Sequence, residues 1–283
     1  MNPKDIAKKA LRLLPDRLYI SLLYYKHFHK FPNLKNPRTF NEKLQWLKLH
    51  DRRPEYTTMV DKYAAKQYIA DKVGEKYVIP TLGVWDRAED IDFDALPDQF
   101  VLKTNHDSKG VVICKDKSQL DIDRTVTFLN KRLSVNGYWY GREWPYKNVL
   151  PKIIAEKFLL EDADAECLTD YKFFCFGGVA KIMYISKDVA IPPTTDFFDM
   201  DFNHLDIRMK DGPASVPPSK PVSFNEMKRI AEILSSGTRH LRVDFYEIDG
   251  HPYVGELTFF HNSGFGNVNP EQWSTRLGSW IKL

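Results

Sequence analysis

Two strand-like runs near the C-terminus constrain the fold of this chain more than any other feature. Residues 241–247 and 253–258 are mostly apolar, and the dipeptide Asp249-Gly250 lies between them. Asp-Gly between two such runs is a strong signal for a β-hairpin. Further strand-like runs interleave with helix-like runs upstream, and this order favours an α/β or α+β fold.

Each of these two runs contains one acidic residue, Asp244 in the first and Glu256 in the second. A buried strand rarely tolerates an unpaired carboxylate, and two facing carboxylates repel unless a cation lies between them. Mg²⁺ prefers carboxylate oxygens and substrate phosphates. The pair therefore indicates a magnesium site. The alternative is that both acids face solvent, or that each pairs with a base such as Arg242.

Two lysines are candidates for binding phosphate. Lys103 ends an apolar run and is followed by the polar loop 104–110, whose backbone N–H groups suit phosphate oxygens. The alternative is a solvated hairpin tip, since residues 99–103 and 110–114 predict a paired hairpin. For Lys62 the alternative is an ordinary surface charge.

Three residues farther along the chain are weaker candidates. Glu156 follows residues 153–155 and suits either an adenine edge or a surface strand end. Asp170 and Lys172 alternate along one strand and so share a face. They form either part of the site or only an ion pair.

The bulk composition excludes several classes of protein. The chain has 283 residues, 43 % of them apolar, and a net charge of only +3. These values argue against disorder and give no general case for binding nucleic acid. Cys114, Cys167 and Cys175 form no CxxC pair and predict free thiols in a reducing compartment. No apolar run approaches the roughly 20 residues that span a bilayer, so we expect a cytoplasmic protein.

The first 30 residues are basic and leucine-rich, and Pro15 should divide them. Two interpretations stay open: a helix peripheral to an anionic inner-membrane surface, or an amphipathic helix packed on the body. Thr39 and Glu42 predict a capping box. The remaining predictions are helices over 54–73, 123–133 and 224–235, strands at 77–85, 153–159, 171–176 and 181–185, and an irregular stretch from 191 to 221.

In their order and spacing, these segments resemble the ATP-grasp superfamily. Within it they resemble the TupA-like group, which is linked to teichuronopeptide and other bacterial surface polysaccharide synthesis and is often labelled as glycosyltransferases. The resemblance covers most of the chain from residue 39 onward. Its segments are Thr39-Phe-Asn-Glu-Lys43, Asp61-Lys62-Tyr63, Ile79-Pro-Thr-Leu-Gly83, residues 100–106, Glu156-Lys157-Phe158, residues 170–177, Arg242-Val-Asp-Phe-Tyr246, Gly255-Glu-Leu-Thr258 and residues 277–283.

The resemblance implies an α+β ATP-grasp fold in which two α/β lobes grip ATP, with a short helical N-terminal region. It places that region at residues 1–75. It places the small lobe with the phosphate loop at 76–152 and the large lobe with the metal site at 153–283. The implied cofactors are ATP and Mg²⁺.

The resemblance also implies roles for particular residues. Lys62 and Lys103 would contact the phosphates of ATP, and Arg242 and Lys172 would be catalytic. Further nucleotide-binding residues would be His106, Ser108, Lys109 and Gly110 in the phosphate loop, Glu156, Lys157 and Phe158 at the adenine, and Asp170 near the ribose. The metal residues would be Asp244, Glu256 and Thr258.

This chain departs from the family pattern at two places. Thr258 stands where the superfamily usually has asparagine, and a hydroxyl is the weaker ligand; His261 or Asn262 are candidate substitutes. The phosphate loop carries Asp107 and Lys109 where related loops are richer in glycine. Asp107 suits a triphosphate site only if its carboxylate faces away.

The implied reaction is carboxylate–amine ligation through an acyl-phosphate. The carboxylate would be a uronic acid in capsule or O-antigen-type polysaccharide synthesis, and the amine an amino acid or a small amine. Three rivals stay open. They are an ATP-dependent sugar kinase, a glycosyltransferase using Asp199-Met-Asp201 as an Asp-x-Asp motif, and a non-catalytic glycan-binding module.

Overall fold

Two antiparallel sheets form the body of the protein in a computed structural model that describes residues 11–160, 168–187 and 192–283. The smaller sheet has the order β1-β4-β2-β3. Its strands are β1 (Thr81–Trp85), β2 (Phe100–Thr104), β3 (Val111–Cys114) and β4 (Ile153–Lys157). The strand predicted at residue 153 thus pairs within the smaller sheet, and the chain crosses to the larger sheet only after it.

The larger sheet has the order β10-β9-β5-β6-β7-β8. Its strands are β5 (Asp170–Phe176), β6 (Val179–Lys187), β7 (Thr194–Asp199), β8 (His204–Leu205), β9 (His240–Ile248) and β10 (His251–Thr258). The prediction of an irregular stretch from 191 to 221 is wrong for β7 and β8. The buried Phe197 and Phe198 pack into the core of this sheet. They are consecutive, so the sequence shows no alternation of apolar and polar residues that would predict a strand here.

The helices lie before, between and after the strands. They are α1 (Asp16–Phe28), α2 (Phe40–His50), α3 (Pro54–Val60), α4 (Ala64–Val73), α5 (Ile122–Leu133), α6 (Tyr138–Gly141), α7 (Phe224–Ser235) and α8 (Glu271–Trp280). Short 3₁₀ turns span Glu75–Tyr77, Ala88–Asp90, Lys117–Gln119, Trp144–Asn148 and His261–Gly264.

Local sequence signals account for several helix boundaries. The capping box of α2 is confirmed: Thr39 Oγ1 accepts from the amide of Glu42 at 3.3 Å, and the Glu42 carboxylate accepts from the amide of Thr39 at 3.1 Å. The single helix predicted over 54–73 is wrong, because Asp61 ends α3. Its carboxylate accepts from the amide of Tyr63 at 2.9 Å and so favours a turn.

Each sheet has a hydrophobic core of its own. Phe100, Leu102 and Leu129 are fully buried in the smaller core. The larger core packs α2, α7 and α8 against β5, β6 and β9, with Leu44, Met227 and Leu277 fully buried. Along β9, Val243 and Phe245 enter this core, so the residues that alternate with them lie on the opposite face of the sheet.

The structure tests two predictions about the whole chain, one on its cysteines and one on membrane-spanning helices. Cys114 and Cys175 are free, as expected, and both are buried, whereas Cys167 lies outside the described residues. Within the described ranges, no helix combines the length and the apolar character that a bilayer span requires.

Candidate active site

A β-bulge brings the two acids of the C-terminal hairpin to one face of the larger sheet. From His251↔Ile248 to Val254↔Phe245 the register is regular, and it then shifts so that Glu256 lies opposite Asp244. If the register continued unshifted past Val254, Gly255 would lie opposite Asp244, and Glu256 would lie opposite Val243, whose side chain enters the core. Directly opposite residues share a face, so the bulge decides that both carboxylates point the same way.

The side chain of Tyr246 explains why the bulge contains a glycine. A Cβ atom at position 255 would lie 2.9 Å from Cε2 of Tyr246, which is closer than such atoms normally approach. The ring of Tyr246 therefore packs directly on the bulged backbone.

Basic side chains surround both carboxylates. Arg242 donates from Nε to Oδ1 and from Nη2 to Oδ2 of Asp244, both at 2.7 Å, and the same Nη2 lies 3.9 Å from Oε2 of Glu256. Lys62 lies 3.3 Å from Glu256, and Lys172 lies 3.3 Å from Asp244. Burial would raise the pKa of Glu256, but the charges of Lys62 and Arg242 outweigh it and lower this pKa to about 2. Glu256 is therefore ionised at neutral pH.

These donors fit a hard divalent cation. Two carboxylates of directly opposite strand residues lie at 2.7 and 3.9 Å from one guanidinium nitrogen. The hydroxyl of Thr258 accepts from Arg242 at 3.1 Å. In the described part of the chain, no cluster of three or more His, Cys, Asp or Glu side chains forms a complete protein cage. The arrangement suits Mg²⁺, which commonly takes one or two carboxylates and completes its shell with water and phosphates.

The catalytic candidates Arg242 and Lys172 lie beside these acids. Burial would lower the pKa of Lys172, but Asp244 and then Asp170, which is 2.9 Å away, hold it above its ordinary value. Arg242 donates from Nη1 to Nδ1 of His261 at 2.7 Å. Burial, and after it the charge of Arg242, holds the pKa of His261 well below its ordinary value. His261 is thus a neutral acceptor that orients the guanidinium.

The smaller sheet contributes a second charged cluster, centred on Glu156. Its carboxylate lies 2.7 Å from Lys103 and 2.7 Å from Lys66. Burial would raise the pKa of Glu156, but these two cations outweigh it and lower the pKa. Burial would lower the pKa of Lys103, but the charge of Glu156 outweighs it and holds this pKa above its ordinary value. Glu156 opposes the effect of burial on both lysines, but at Lys66 burial prevails and lowers the pKa of that ammonium.

Sequence reasoning missed Lys66. Its ammonium also donates to the carbonyl of Ile79 at 2.6 Å, so it links α4 to the start of the smaller sheet. The only available signal was indirect: an acid such as Glu156 inside a buried strand requires a cationic partner.

Lys62 lies on the turn between α3 and α4, and this turn is joined to the phosphate loop. The amide of Lys62 donates to the carbonyl of Asn105 at 3.0 Å, and its ammonium donates to the carbonyl of Asp107 at 3.2 Å. The buried Asn105 donates in turn to Asp61 at 2.9 Å. The Asp61-Lys62-Tyr63 segment is therefore held in place by the residue that follows β2.

Within the loop of residues 104–110, Asp107 is turned towards α5. Its carboxylate pairs with Arg132 of α5. His106 is buried, with Nε2 at 2.8 Å from the carbonyl of Val135, so it anchors the loop to the end of α5. Lys109 is exposed, and its amide donates to Asp107 at 3.1 Å.

Gly110 ends the loop beside Thr104, the last residue of β2. The amide of Thr104 donates to the carbonyl of Gly110 at 2.8 Å. A Cβ atom at position 110 would lie only 2.0 Å from Oγ1 of Thr104. The close approach of these two backbones explains the glycine.

The two clusters meet at a cavity of about 340 Å³ between the sheets. Eight of the predicted site residues line it: Lys62, Lys103, Ser108, Glu156, Lys157, Phe158, Asp170 and Glu256. The other predicted residues, His106, Lys109, Gly110, Lys172, Arg242, Asp244 and Thr258, do not line this cavity. Its apolar wall was missed in the sequence and consists of Ile79, Val101, Val111, Ile113, Leu159, Leu160 and Leu168, with Tyr246 beside them.

A second cavity, of about 210 Å³, is lined by Arg242 and Lys172. Both residues also contact Asp244, which lies opposite Glu256 of the first cavity. The rest of its lining consists of Tyr184, Thr195, Phe197, Met209, Lys210, His261 and Asn262.

The tripeptide Asp199-Met-Asp201 lies away from both cavities. The Asp199 carboxylate accepts from the amides of Asp201 and Asn203 at 3.0 and 2.8 Å, and from the side chain of Asn203 at 2.9 Å. It organises the turn that follows β7.

Comparison with known proteins adds a family assignment. A family model described as TupA-like ATPgrasp matches residues 42–282. No curated protein matches the chain.

The chain also resembles solved structures. D-alanine–D-alanine ligase from Bacillus anthracis is 18 % identical, with a TM-score of 0.43 over 71 % of this chain and 57 % of that one. N5-carboxyaminoimidazole ribonucleotide synthetase (purK), solved as an ADP complex, is 16 % identical, with a TM-score of 0.48 over 79 % and 52 %. The ATP-grasp ligase PsnB, solved with a minimal precursor, Mg and ADP, is 14 % identical, with a TM-score of 0.44 over 86 % and 66 %. The chain thus spans little more than half the length of the first two.

Proposed function

This chain belongs to the TupA-like ATP-grasp family, and from that membership we propose that it is an ATP-dependent ligase that activates a carboxylate and joins it to an amine. Its two-sheet α+β architecture agrees with the fold expected of the family. One observation carries the proposal: Asp244 and Glu256 lie opposite each other on β9 and β10, and Glu256 lines a cavity together with Lys62 and with Lys103 of the other sheet.

The cavity between the sheets suits ATP. Its apolar wall would hold the adenine, and the charged end with Lys62 and Lys103 would hold the phosphates. In the structure these lysines are paired with Glu256 and Glu156. Incoming phosphates would therefore replace carboxylates as partners of the lysines.

Asp244 and Glu256 would hold Mg²⁺, which when bound would neutralise charge on the phosphates and align them for transfer. Arg242 and Lys172 already contact Asp244, so they stand where the transferred phosphoryl group would meet an acceptor. Their fixed charges would stabilise the negative charge that develops there. His261, kept neutral, holds the guanidinium in place.

The proposed reaction has two steps. A carboxylate oxygen attacks the γ-phosphorus, the new O–P bond forms, and the bond to the β–γ bridging oxygen breaks, so that ADP leaves. The nitrogen of an amine then attacks the acyl carbon, forming the amide. The carbon–oxygen bond to phosphate breaks, and phosphate and one proton are released.

The second cavity supports an acidic substrate. Lys172, Arg242 and Lys210 give it a positive lining, and its volume of about 210 Å³ suits a single sugar or amino acid unit. We propose that the carboxylate is a uronic acid and the amine an amino acid or small amine, within capsule or O-antigen-type polysaccharide synthesis. Tyr184 and Phe197 offer apolar surface for a sugar ring.

A phosphate-release screen tests this function. The protein is incubated with ATP and Mg²⁺ and with uronic acids and amino acids, singly and in pairs, beside Asp244→Asn. We expect phosphate release only when an acid and an amine are both present, and none with the variant. An amide in the product, found by mass spectrometry, completes the identification.

The rival activities give different results in the same screen. A sugar kinase would form ADP and a phosphate ester without an amine. A glycosyltransferase would use a nucleotide sugar and would not consume ATP. Either result would contradict the ligase assignment.

A further inference from the structure

The outer side of α1 carries an apolar stripe. Leu18, Leu22 and Tyr25 are 47 %, 45 % and 47 % exposed. At 3.6 residues per turn they fall within one narrow sector of the helix. Ile20 and Tyr24 lie on the opposite side and are buried. The helix therefore shows apolar residues on both its inner and its outer side.

Exposed cations surround this stripe. In residues 11–35 the only acid is Asp16. Its carboxylate faces the body, where it lies 2.7 Å from Arg52 and accepts from the hydroxyl of Tyr138 at 2.6 Å. The exposed basic residues of the same segment are Arg12, Arg17, Lys26, Lys30 and Lys35. The outer surface of this segment is therefore positively charged as well as apolar.

The inner side of α1 is already docked on the body. The hydroxyl of Tyr19 donates to the carbonyl of Trp139 at 3.2 Å, and the ring of His27 stacks on Phe265 with centroids 5.1 Å apart. These contacts, together with the Asp16–Arg52 pair, hold the helix in its present rotation. The exposed stripe is thus a fixed feature of the folded surface.

We propose that the outer face of α1 docks on an anionic lipid surface. Leucine and aromatic side chains with flanking lysine and arginine are what an interfacial helix uses to enter the headgroup region. Tyr25 stacks on Phe31, which is 62 % exposed, with centroids 4.9 Å apart, and such aromatic pairs suit the headgroup level. Charge complementarity selects the occupant, because a surface that presents only cations attracts a negatively charged leaflet.

Vesicle co-sedimentation tests the proposal with the full chain. We expect the protein to pellet with vesicles of equal parts phosphatidylglycerol and phosphatidylcholine, to stay in solution with phosphatidylcholine alone, and to be released by added salt. Two double variants, Leu18→Ser/Leu22→Ser and Lys26→Gln/Lys30→Gln, should each lower the bound fraction at least about fivefold.

Matched controls use exposed residues elsewhere. Val216→Ser/Val222→Ser removes apolar surface, since these valines are 78 % and 87 % exposed, and Lys131→Gln/Lys181→Gln removes charge from exposed positions. Neither control should change vesicle binding. All four variants should keep the melting temperature and the ATP affinity of the parent protein, since none alters the cavity.

Three outcomes would overturn the proposal. The first is the absence of any vesicle binding, and the second is equal binding to anionic and neutral vesicles. The third is a change in the Leu18→Ser/Leu22→Ser variant itself: a fall in its melting temperature, or the loss of a dimer that the parent protein shows in sedimentation velocity. Either result would mean that the stripe is covered by protein and is not free to meet a membrane.

Discussion

The two hairpins that meet at the cavity are built differently. In the smaller sheet, β2 and β3 keep one register from Phe100↔Cys114 to Lys103↔Val111. In the larger sheet, the ladder of β9 and β10 shifts at Gly255. The regular hairpin presents a lysine, and the bulged one presents two acids. In a strand with regular pairing, side chains alternate between the two faces of the sheet, so position along the strand decides which face a charged residue occupies. A bulge interrupts this alternation.

The largest expected effect concerns the acids of the bulged hairpin. Asp244→Asn removes one charge of the proposed metal pair and leaves Arg242 and Lys172 with a neutral partner. We expect ligase turnover to fall at least about a hundredfold, because metal stabilisation is worth several kcal/mol. Binding of ATP without Mg²⁺, measured by calorimetry, should change little.

Asp199→Asn is the matched control for this variant, because Asp199 is a strand-end aspartate that only organises a turn. It should leave turnover unchanged. Equal losses of turnover in Asp199→Asn and Asp244→Asn would show that Asp244 has no special role in the reaction.

The lysine of the regular hairpin, Lys103, is tested through its partner Glu156 on the neighbouring strand β4. Glu156→Gln leaves Lys66 and Lys103 buried without a counter-charge, which should cost about 3 kcal/mol of unfolding free energy at neutral pH. The folded pKa of Glu156 lies below the ordinary value of 4.5, so its contribution is present above that pH and is lost as the pH falls below it. Urea unfolding of both proteins across this range should show the difference shrinking at low pH.

The control breaks an ion pair on the surface. Asp86 is 76 % exposed at the side chain and pairs with Lys152. Asp86→Asn should cost no more than about 1 kcal/mol. If Glu156→Gln cost no more than this, the smaller sheet would not depend on its buried acid.

The bulge itself is tested by filling it. In Gly255→Val the new Cβ would meet the ring of Tyr246 at 2.9 Å, so strand and ring must shift and carry Glu256 with them. We expect the Kd for Mg·ATP to rise about tenfold, the equivalent of about 1.4 kcal/mol, with a much smaller change for ATP alone.

Gly212→Val is the control for the bulge, because nothing lies within 4 Å of an added Cβ there. It should bind Mg·ATP as the parent does. An unchanged Kd for Mg·ATP in Gly255→Val would show that the site does not need the bulge.

The smallest effect concerns the start of β9. Burial lowers the pKa of His240 to about 4, and its Nδ1 lies 2.9 Å from the carbonyl of Cys175. The unfolded chain takes up a proton near the ordinary value of 6.5 while the folded one does not, so stability falls as the pH drops from 6.5 towards 4. At a pH of about 5.5 this amounts to about 1 kcal/mol.

His240→Leu should flatten this slope in urea unfolding series at several pH values. His261, which is also held neutral, contributes in the same direction in both proteins and cancels in the comparison. An identical slope in both proteins would assign the acid sensitivity to other groups.

Local signals in the sequence were enough for much of the fold. The capping box of α2, the helix over 224–235 and both hairpins follow from short-range patterns. The strand β7 did not, because its consecutive phenylalanines form no alternation. Lys66 was missed for a related reason: it is one lysine among several on its helix, and only the fold brings it to Glu156.

The sequence by itself determined which chemical groups are available: acids in two strand-like runs, a lysine at the end of a third, and a family pattern linking them. The tertiary structure decided where those groups point. The shift of register at Gly255 turns Glu256 from the core face to the face of Asp244. The physical reason is that side chains alternate along a strand with period two, so one inserted residue reverses every position beyond it.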